Sequence, residues 1–185
     1  MIRFSYVSVV ALIVTIAISS YGFYDLNKSK SVILDLYHLK SDILIANISL
    51  RNAIITTSEI EKVNELNKML VTRNSANQIY DRLVVYGLSD LEEAIIKNMI
   101  EERKEYRKYQ LEIIDNIKTK NTLSAWHNMS YYSTLMERYI QRVDTIISIR
   151  KEESENVYIC VKYSILAILM GICISFIVLV SKERF

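Results

Sequence analysis

The sequence predicts an all-α protein in which two transmembrane helices are continuous with an antiparallel, up-down-up-down four-helix bundle. Three observations carry this expectation. The 185 residues include no proline and only three glycines, and 51% are hydrophobic, so little material exists for loops. Two long stretches contain no charged residue. Between them, apolar residues recur at spacings of three and four with few turn signals.

The uncharged stretches run from Phe4 to Tyr24 and from Tyr163 to Ser181. At helical rise they are about 31 and 28 Å long, enough to cross a hydrocarbon core. Ala17 and Ser19 resemble a small-residue cleavage site, so a signal peptide is the alternative for the first. The length of the run and the single basic Arg3 before it favour a retained anchor. Arg3 ahead of the first span, and Lys182 with Arg184 behind the second, place both termini in the cytoplasm. The expected order is a cytoplasmic start (1–3), a first span (4–24), an extracytoplasmic bundle (25–157), a second span (158–181) and a cytoplasmic tail (182–185), in a cell (inner) membrane.

Residues 25–157 carry 19 Lys plus Arg against 20 Asp plus Glu, which gives no electrostatic footprint for nucleic acid. Cys160 and Cys173 lie in or beside the second span, about 20 Å apart along one helix and too distant to pair with each other. The bundle holds no cysteine, so it must be stabilised by packing instead of disulfides.

Turn signals divide the middle segment. Ser58-Glu59-Ile60-Glu61 and Ser89-Asp90-Leu91-Glu92 are Ser-x-x-Glu capping boxes, the second just after Gly87, and Asn121 or Thr122 can cap a last helix. Helices over 25–56, 59–86, 90–119 and 122–157 follow, similar enough in length for a bundle. Val32, Leu36, Leu39, Ile43, Ala46, Leu50 and Ala53 form an inward stripe on the first. On the fourth, Ala125, Met129, Tyr132, Met136, Tyr139, Val143 and Ile146 do the same, widened by Trp126, Ile140 and Ile147. The middle helices are more polar: Leu66, Met69, Ala76, Ile79, Tyr80 and Leu83 are expected inward on one, and Ile95, Met99, Tyr106, Ile113 and Ile117 on the other.

No constellation points to an enzyme, a metal or a cofactor: His38 and His127 have no ligand spacing, and no glycine-rich phosphate loop is present. The candidate site is instead a ligand-binding set near the turn ends of the first and fourth helices. Counting from those ends puts Arg51 near Trp126 and His127, and Asn47 near Tyr131 and Tyr132. A cation, an amide and aromatic faces at one height suit a small anion or an amino-acid-like ligand. The plainer account of the same residues is a surface arginine over core aromatics. A second polar level, around Arg73, Arg103 and Tyr106, interrupts the inward stripes in mid-bundle, as either a buried ion pair or partly exposed arginines.

In the order of its segments the chain resembles the four-helix-bundle sensing module of methyl-accepting chemotaxis proteins. Leu50-Arg51-Asn52-Ala53-Ile54 before Thr56-Thr57-Ser58-Glu59 is similar to the Leu-Arg before a polar turn common there, as is Val143-Asp144-Thr145-Ile146-Ile147 running into Lys151-Glu152-Glu153. The resemblance implies a bacterial sensory domain for signal transduction in chemotaxis. It would be a homodimer in the lipid bilayer that binds a small solute outside, with Arg51 as the ligand arginine, and passes a displacement of the fourth helix through the second span. The family's cytoplasmic linker, methylation helices and kinase-coupling tip have no counterpart after Ser181, where four residues remain. The expectation is therefore an input half, or a chain that works through a cytoplasmic or membrane signalling partner. Ser164, Ala167, Gly171 and Ser175 offer a small-residue face for close helix approach. The alternative is a membrane-tethered interaction protein that binds another membrane protein and no small molecule.

Overall fold

The computed structural model describes residues 2–182, with side chains described for residue 10 and residues 13–174. Four helices account for nearly all of it: α1 (Ile2–Ile55), α2 (Glu59–Val85), α3 (Asp90–Lys118) and α4 (Thr122–Lys182). No strand occurs among the described residues. Each of the three breaks falls where the turn chemistry of the sequence puts it.

Local hydrogen bonding explains those breaks. Ser58 caps α2 by accepting from the Glu61 amide at 3.4 Å, while the Glu61 carboxylate turns to the Thr56 hydroxyl instead of completing a box. At α3 the box is complete: Ser89 N–H donates to Glu92 Oε2 at 2.8 Å and the Glu92 amide to Ser89 Oγ at 3.5 Å. α3 ends in a Schellman turn, in which Asn121 N–H donates to Asn116 O at 2.8 Å and Lys120 N–H to Ile117 O at 3.2 Å. Lys120 takes the left-handed conformation there, at φ 58°, a position that favours glycine. Asn121 then caps α4 by accepting from the Ser124 amide at 3.3 Å.

The chain forms two compact units, one of residues 32–149 and one of the residues up to 31 with those from 150 on. The first is built from all four helices. Every residue expected on the inward stripes of α1 and α4 from Val32 to Ala53 and from Ala125 to Ile146 is buried, as is Ile147. Trp126 is not: it is 41% exposed, near the start of α4, and Ile140 is only partly buried. On α3 Met99, Ile113 and Ile117 are buried as expected and Ile95 and Tyr106 partly so, while Ile96, Glu92 and Gln110 join the buried set. The buried apolar residues fall into two clusters. One contains Leu36, Leu39, Tyr80, Leu83, Met99 and Tyr139, the other Leu50, Met69, Ile113, Met129 and Tyr132. Tyr106 packs against both.

Ion pairs join neighbouring helices at the rim: Lys40 with Asp144 at 2.7 Å, Arg142 with Glu102 at 2.7 Å, and Arg82 with Asp35 at 2.6 Å. Asp35 also accepts from the Tyr86 hydroxyl at 3.1 Å. The Arg82 hydrogen bonds, against the opposing effect of burial, hold the Asp35 carboxyl below its ordinary value of 3.8. A carboxyl with a lowered folded-state value contributes its full stabilisation above the ordinary value and loses it as pH falls through the folded one. The unfolding temperature is therefore expected to drop below pH 3.8, and Asp35→Asn to flatten that acid limb. An unchanged acid slope in the variant would remove Asp35 from the account.

In the second unit, α1 and α4 meet through small and polar residues. Ser29 Oγ lies 2.6 Å from Ser154 Oγ and donates to Arg150 O at 3.3 Å. Gly22 is buried against Val161. Most other apolar side chains here face outward, among them Ile13, Ile16 and Phe23 on α1 and Tyr163, Leu166, Leu169 and Ile172 on α4. Among the described residues, α4 as far as Ile174 is long and apolar enough to cross a membrane, and almost none of its apolar stretch is covered by protein. Arg3, Lys182 and Arg184, on which the orientation rests, and Ser175 of the small-residue face lie outside the described side chains.

Candidate functional site

Of the five residues expected to form a ligand set, the structure brings two together. The His127 ring meets Tyr131 edge-on with centroids 5.1 Å apart, and Tyr131 stacks on Tyr109 of α3 at 5.6 Å. Arg51 is exposed and donates to Ser133 Oγ at 3.2 Å. That contact sets a register different from the one assumed by counting from the helix ends. Arg51 lies 4 residues before the end of α1, whereas Ser133 lies 11 after the start of α4. α4 therefore overshoots by two turns, and Trp126 and His127 lie about 9 to 10 Å along the axis from the Arg51 level. Asn47 is buried, with its Oδ1 lacking a hydrogen-bond partner.

The other polar level is better assembled. Between the two apolar clusters lies a cavity of about 30 Å³, partly open to solvent and lined from all four helices. α1 contributes Asp42, α2 Arg73 and Tyr80, α3 Arg103, Arg107 and Gln110, and α4 Tyr139. Four of the lining residues have buried polar atoms with no hydrogen-bond partner: Asp42 Oδ2, Arg73 Nε, Tyr80 Oη and Gln110 Oε1. Native interiors rarely leave such groups unpaired, so their concentration at one height marks the cavity as polar space that a bound species can complete.

The arginines here have little to neutralise them. Arg107 donates to the uncharged Asn77 Oδ1 at 2.9 Å, and Arg103 lies over the Tyr80 ring, 4.4 Å from its centroid. Among the described residues no carboxylate forms an ion pair with Arg73, Arg103 or Arg107. Loss of hydration lowers the Arg103 pKa, and the Arg107 and Arg73 charges push the same way against the neighbouring tyrosines. Burial raises the tyrosines: Tyr80, Tyr106 and Tyr132 are all held above their ordinary value first by desolvation. They stay neutral donors, and Tyr132 and Tyr106 hydrogen-bond each other at 2.6 Å across stacked rings.

Comparison of the chain with protein-family models, with curated proteins and with solved structures finds no match. The cavity is therefore defined by its own chemistry. Its residues left a trace in the sequence, because Arg103, Tyr106 and Gln110 follow at spacings of three and four on the inward stripe of α3, between Met99 and Ile113. Arg73 breaks the stripe of α2 in the same way. Asp42 and Arg107 gave no such signal, since each flanks a stripe.

Proposed function

We propose that the chain is a membrane-anchored sensory input module of the chemoreceptor type, which receives a small extracytoplasmic solute in its bundle and passes the signal through the second transmembrane helix. Residues 4–24 and 158–181 are the spans, residues 25–157 form the antiparallel bundle outside, and both termini are cytoplasmic. The observation that carries this reading is the cavity lined from all four helices and bearing unpartnered polar atoms. Contacts between neighbouring helices support the antiparallel order, because residue numbers rise on one helix as they fall on the next. α2 and α3 pair Met69 with Gln110 and Asn77 with Arg107, α3 and α4 pair Glu102 with Arg142 and Glu112 with Asn128, and α1 and α4 pair Lys40 with Asp144 and Arg51 with Ser133. Outward apolar residues on both α1 and α4 support the bilayer as their surroundings.

A ligand signals only by binding one arrangement of the helices better than another. Since α4 is a single helix from Thr122 to Lys182, an arrangement that shifts its Tyr139 level has a stiff element through which to act. The test uses the full chain in lipid nanodiscs, with Cys173→Ser and a spin label on the exposed Cys160. A panel of small acids, amino acids, sugars and amines is screened for a rise in unfolding temperature, which binding to the folded state produces. A stabilising solute that also changes the label's spectrum is the expected result. A panel that moves neither overturns the reading.

The second reading, a tethered protein that binds another membrane protein or a second copy of itself, draws on one observation. Leu44, Ile45, Ile48 and Ile55 on α1 and Val71 on α2 are exposed, and a groove of about 1020 Å³ runs past Ile45, Ile55 and Val71. Cross-linking through Ile48→Cys separates these partners, since a homodimer gives a band of twice the chain's mass and a different partner does not.

A further inference from the structure

The arginine cavity also indicates what kind of solute it takes. We propose that Arg73, Arg103 and Arg107 bind the carboxylate of a short 2-hydroxy acid, whose hydroxyl is received by Gln110 or Asp42. This inference rests on the cavity being a solute site, as the sensory reading holds, and adds the chemical class.

Charge comes first. The lining sets three guanidiniums against one carboxylate, that of Asp42. Even if Asp42 turns onto Arg73, two cations remain uncompensated. Two other arginines of this unit are fully paired: Arg82 grips both oxygens of Asp35 and Arg142 both oxygens of Glu102. In the cavity such pairing is withheld, although close like charges in a half-dry site are destabilising when it is empty. A bound anion removes the repulsion. Arg103 is already held at the site, because its guanidinium lies over the Tyr80 ring, a contact that leaves its N–H groups to bond a carboxylate.

Hydrogen-bonding capacity narrows the class. Arg73 Nε and Tyr80 Oη are unpartnered donors, which a carboxylate satisfies. Gln110 Oε1 and Asp42 Oδ2 are unpartnered acceptors, which a bare carboxylate leaves unsatisfied. Gln110 is 1% exposed, and its amide nitrogen donates to Met69 Sδ at 3.0 Å, which leaves its oxygen as the group free to bond a species in the cavity. The ligand therefore needs a donor beside its carboxylate. An ammonium supplies three but adds a positive charge among guanidiniums, whereas a hydroxyl supplies one, to Gln110 or Asp42, and adds no charge. A cavity of about 30 Å³ is about one water's share of liquid volume, so it admits only the head of the acid, with the rest at its open side, and the acid is short.

The experiment titrates full-length protein in nanodiscs with glycolate, acetate, glycolamide, glycine and chloride, reading unfolding temperature and the Cys160 label. Glycolate is expected to stabilise the wild type saturably, acetate to bind more weakly for want of the hydroxyl, and glycolamide and glycine to bind weakest. Arg103→Gln is expected to weaken glycolate by about tenfold or more, the loss of a charge-assisted contact, and to leave the ligand-free protein no less stable. Arg138→Gln, at an exposed position outside the cavity, is the control and is expected to leave binding unchanged. The solute series on the wild type decides the matter even if Arg103→Gln fails to fold. No response to glycolate, or glycine or glycolamide binding as tightly, overturns the proposal, and chloride as effective as glycolate reduces the site to unselective charge. Glycolate that binds without moving the label leaves the site standing and sinks the sensory reading. Another solute that moves the label while glycolate does not bind has the opposite meaning.

Discussion

Leu50→Ala is expected to destabilise the helical unit of residues 32–149 by about 2 to 5 kcal/mol, while Arg51→Ala, one residue on, stays within about 0.5 kcal/mol. Leu50 is fully buried in the cluster that includes Met69, Ile113, Met129 and Tyr132, drawn from all three other helices. Truncating it removes apolar contacts and leaves a cavity that surrounding helices, themselves continuous through this level, refill only in part. Arg51 faces solvent and loses one exposed hydrogen bond to Ser133. Unfolding of the two variants in nanodiscs by denaturant reads the contrast directly. Similar losses at both positions would mean that α1 is rotated from the arrangement described, and its whole inward stripe with it.

That contrast also shows what the sequence makes legible. A stripe such as Val32 to Ala53 is a one-helix property: spacing alone fixes which face is apolar, and burial follows wherever the helix packs. The caps at Ser58, Ser89 and Asn121 are equally local, and the breaks fall at them within a residue. The candidate site needed something no single helix encodes, the height of α4 against α1. Two turns of overshoot at the start of α4 separate Trp126 and His127 from Arg51, although each residue was individually well placed for a binding set. The arginine level survived for a simple reason. Arg73 and Arg103 sit on helices joined by one short turn, so their alignment depends on few residues, and both line one cavity.

Packing in the other unit leads to the second large effect, at Gly22. A Cβ on Gly22 would lie 2.3 Å from Val161 Cγ2, closer than carbon atoms approach, whereas a Cβ on Gly171 would meet nothing within 4 Å. Helix propensity alone predicts that replacing either glycine gains up to about 1 kcal/mol. At Gly22 the clash outweighs that gain. Val161 is β-branched and buried, so its methyl has one favoured position in a helix and cannot swing clear. Relief requires α1 and α4 to separate here, and overpacking of this kind costs about 1 to 3 kcal/mol. Gly22→Leu is therefore expected to lower the unfolding temperature in nanodiscs, and Val161→Ala to restore most of the loss in the double variant, a coupling that independent sites do not show. Gly171→Leu is expected to leave the unfolding temperature of the single chain unchanged or higher. The same variant tests association, because a leucine at that position obstructs close approach by any second helix there. Sedimentation of the Gly171→Leu chain in detergent reads this: weakened self-association with intact stability assigns the face to contact between chains, and unchanged association removes it from that role.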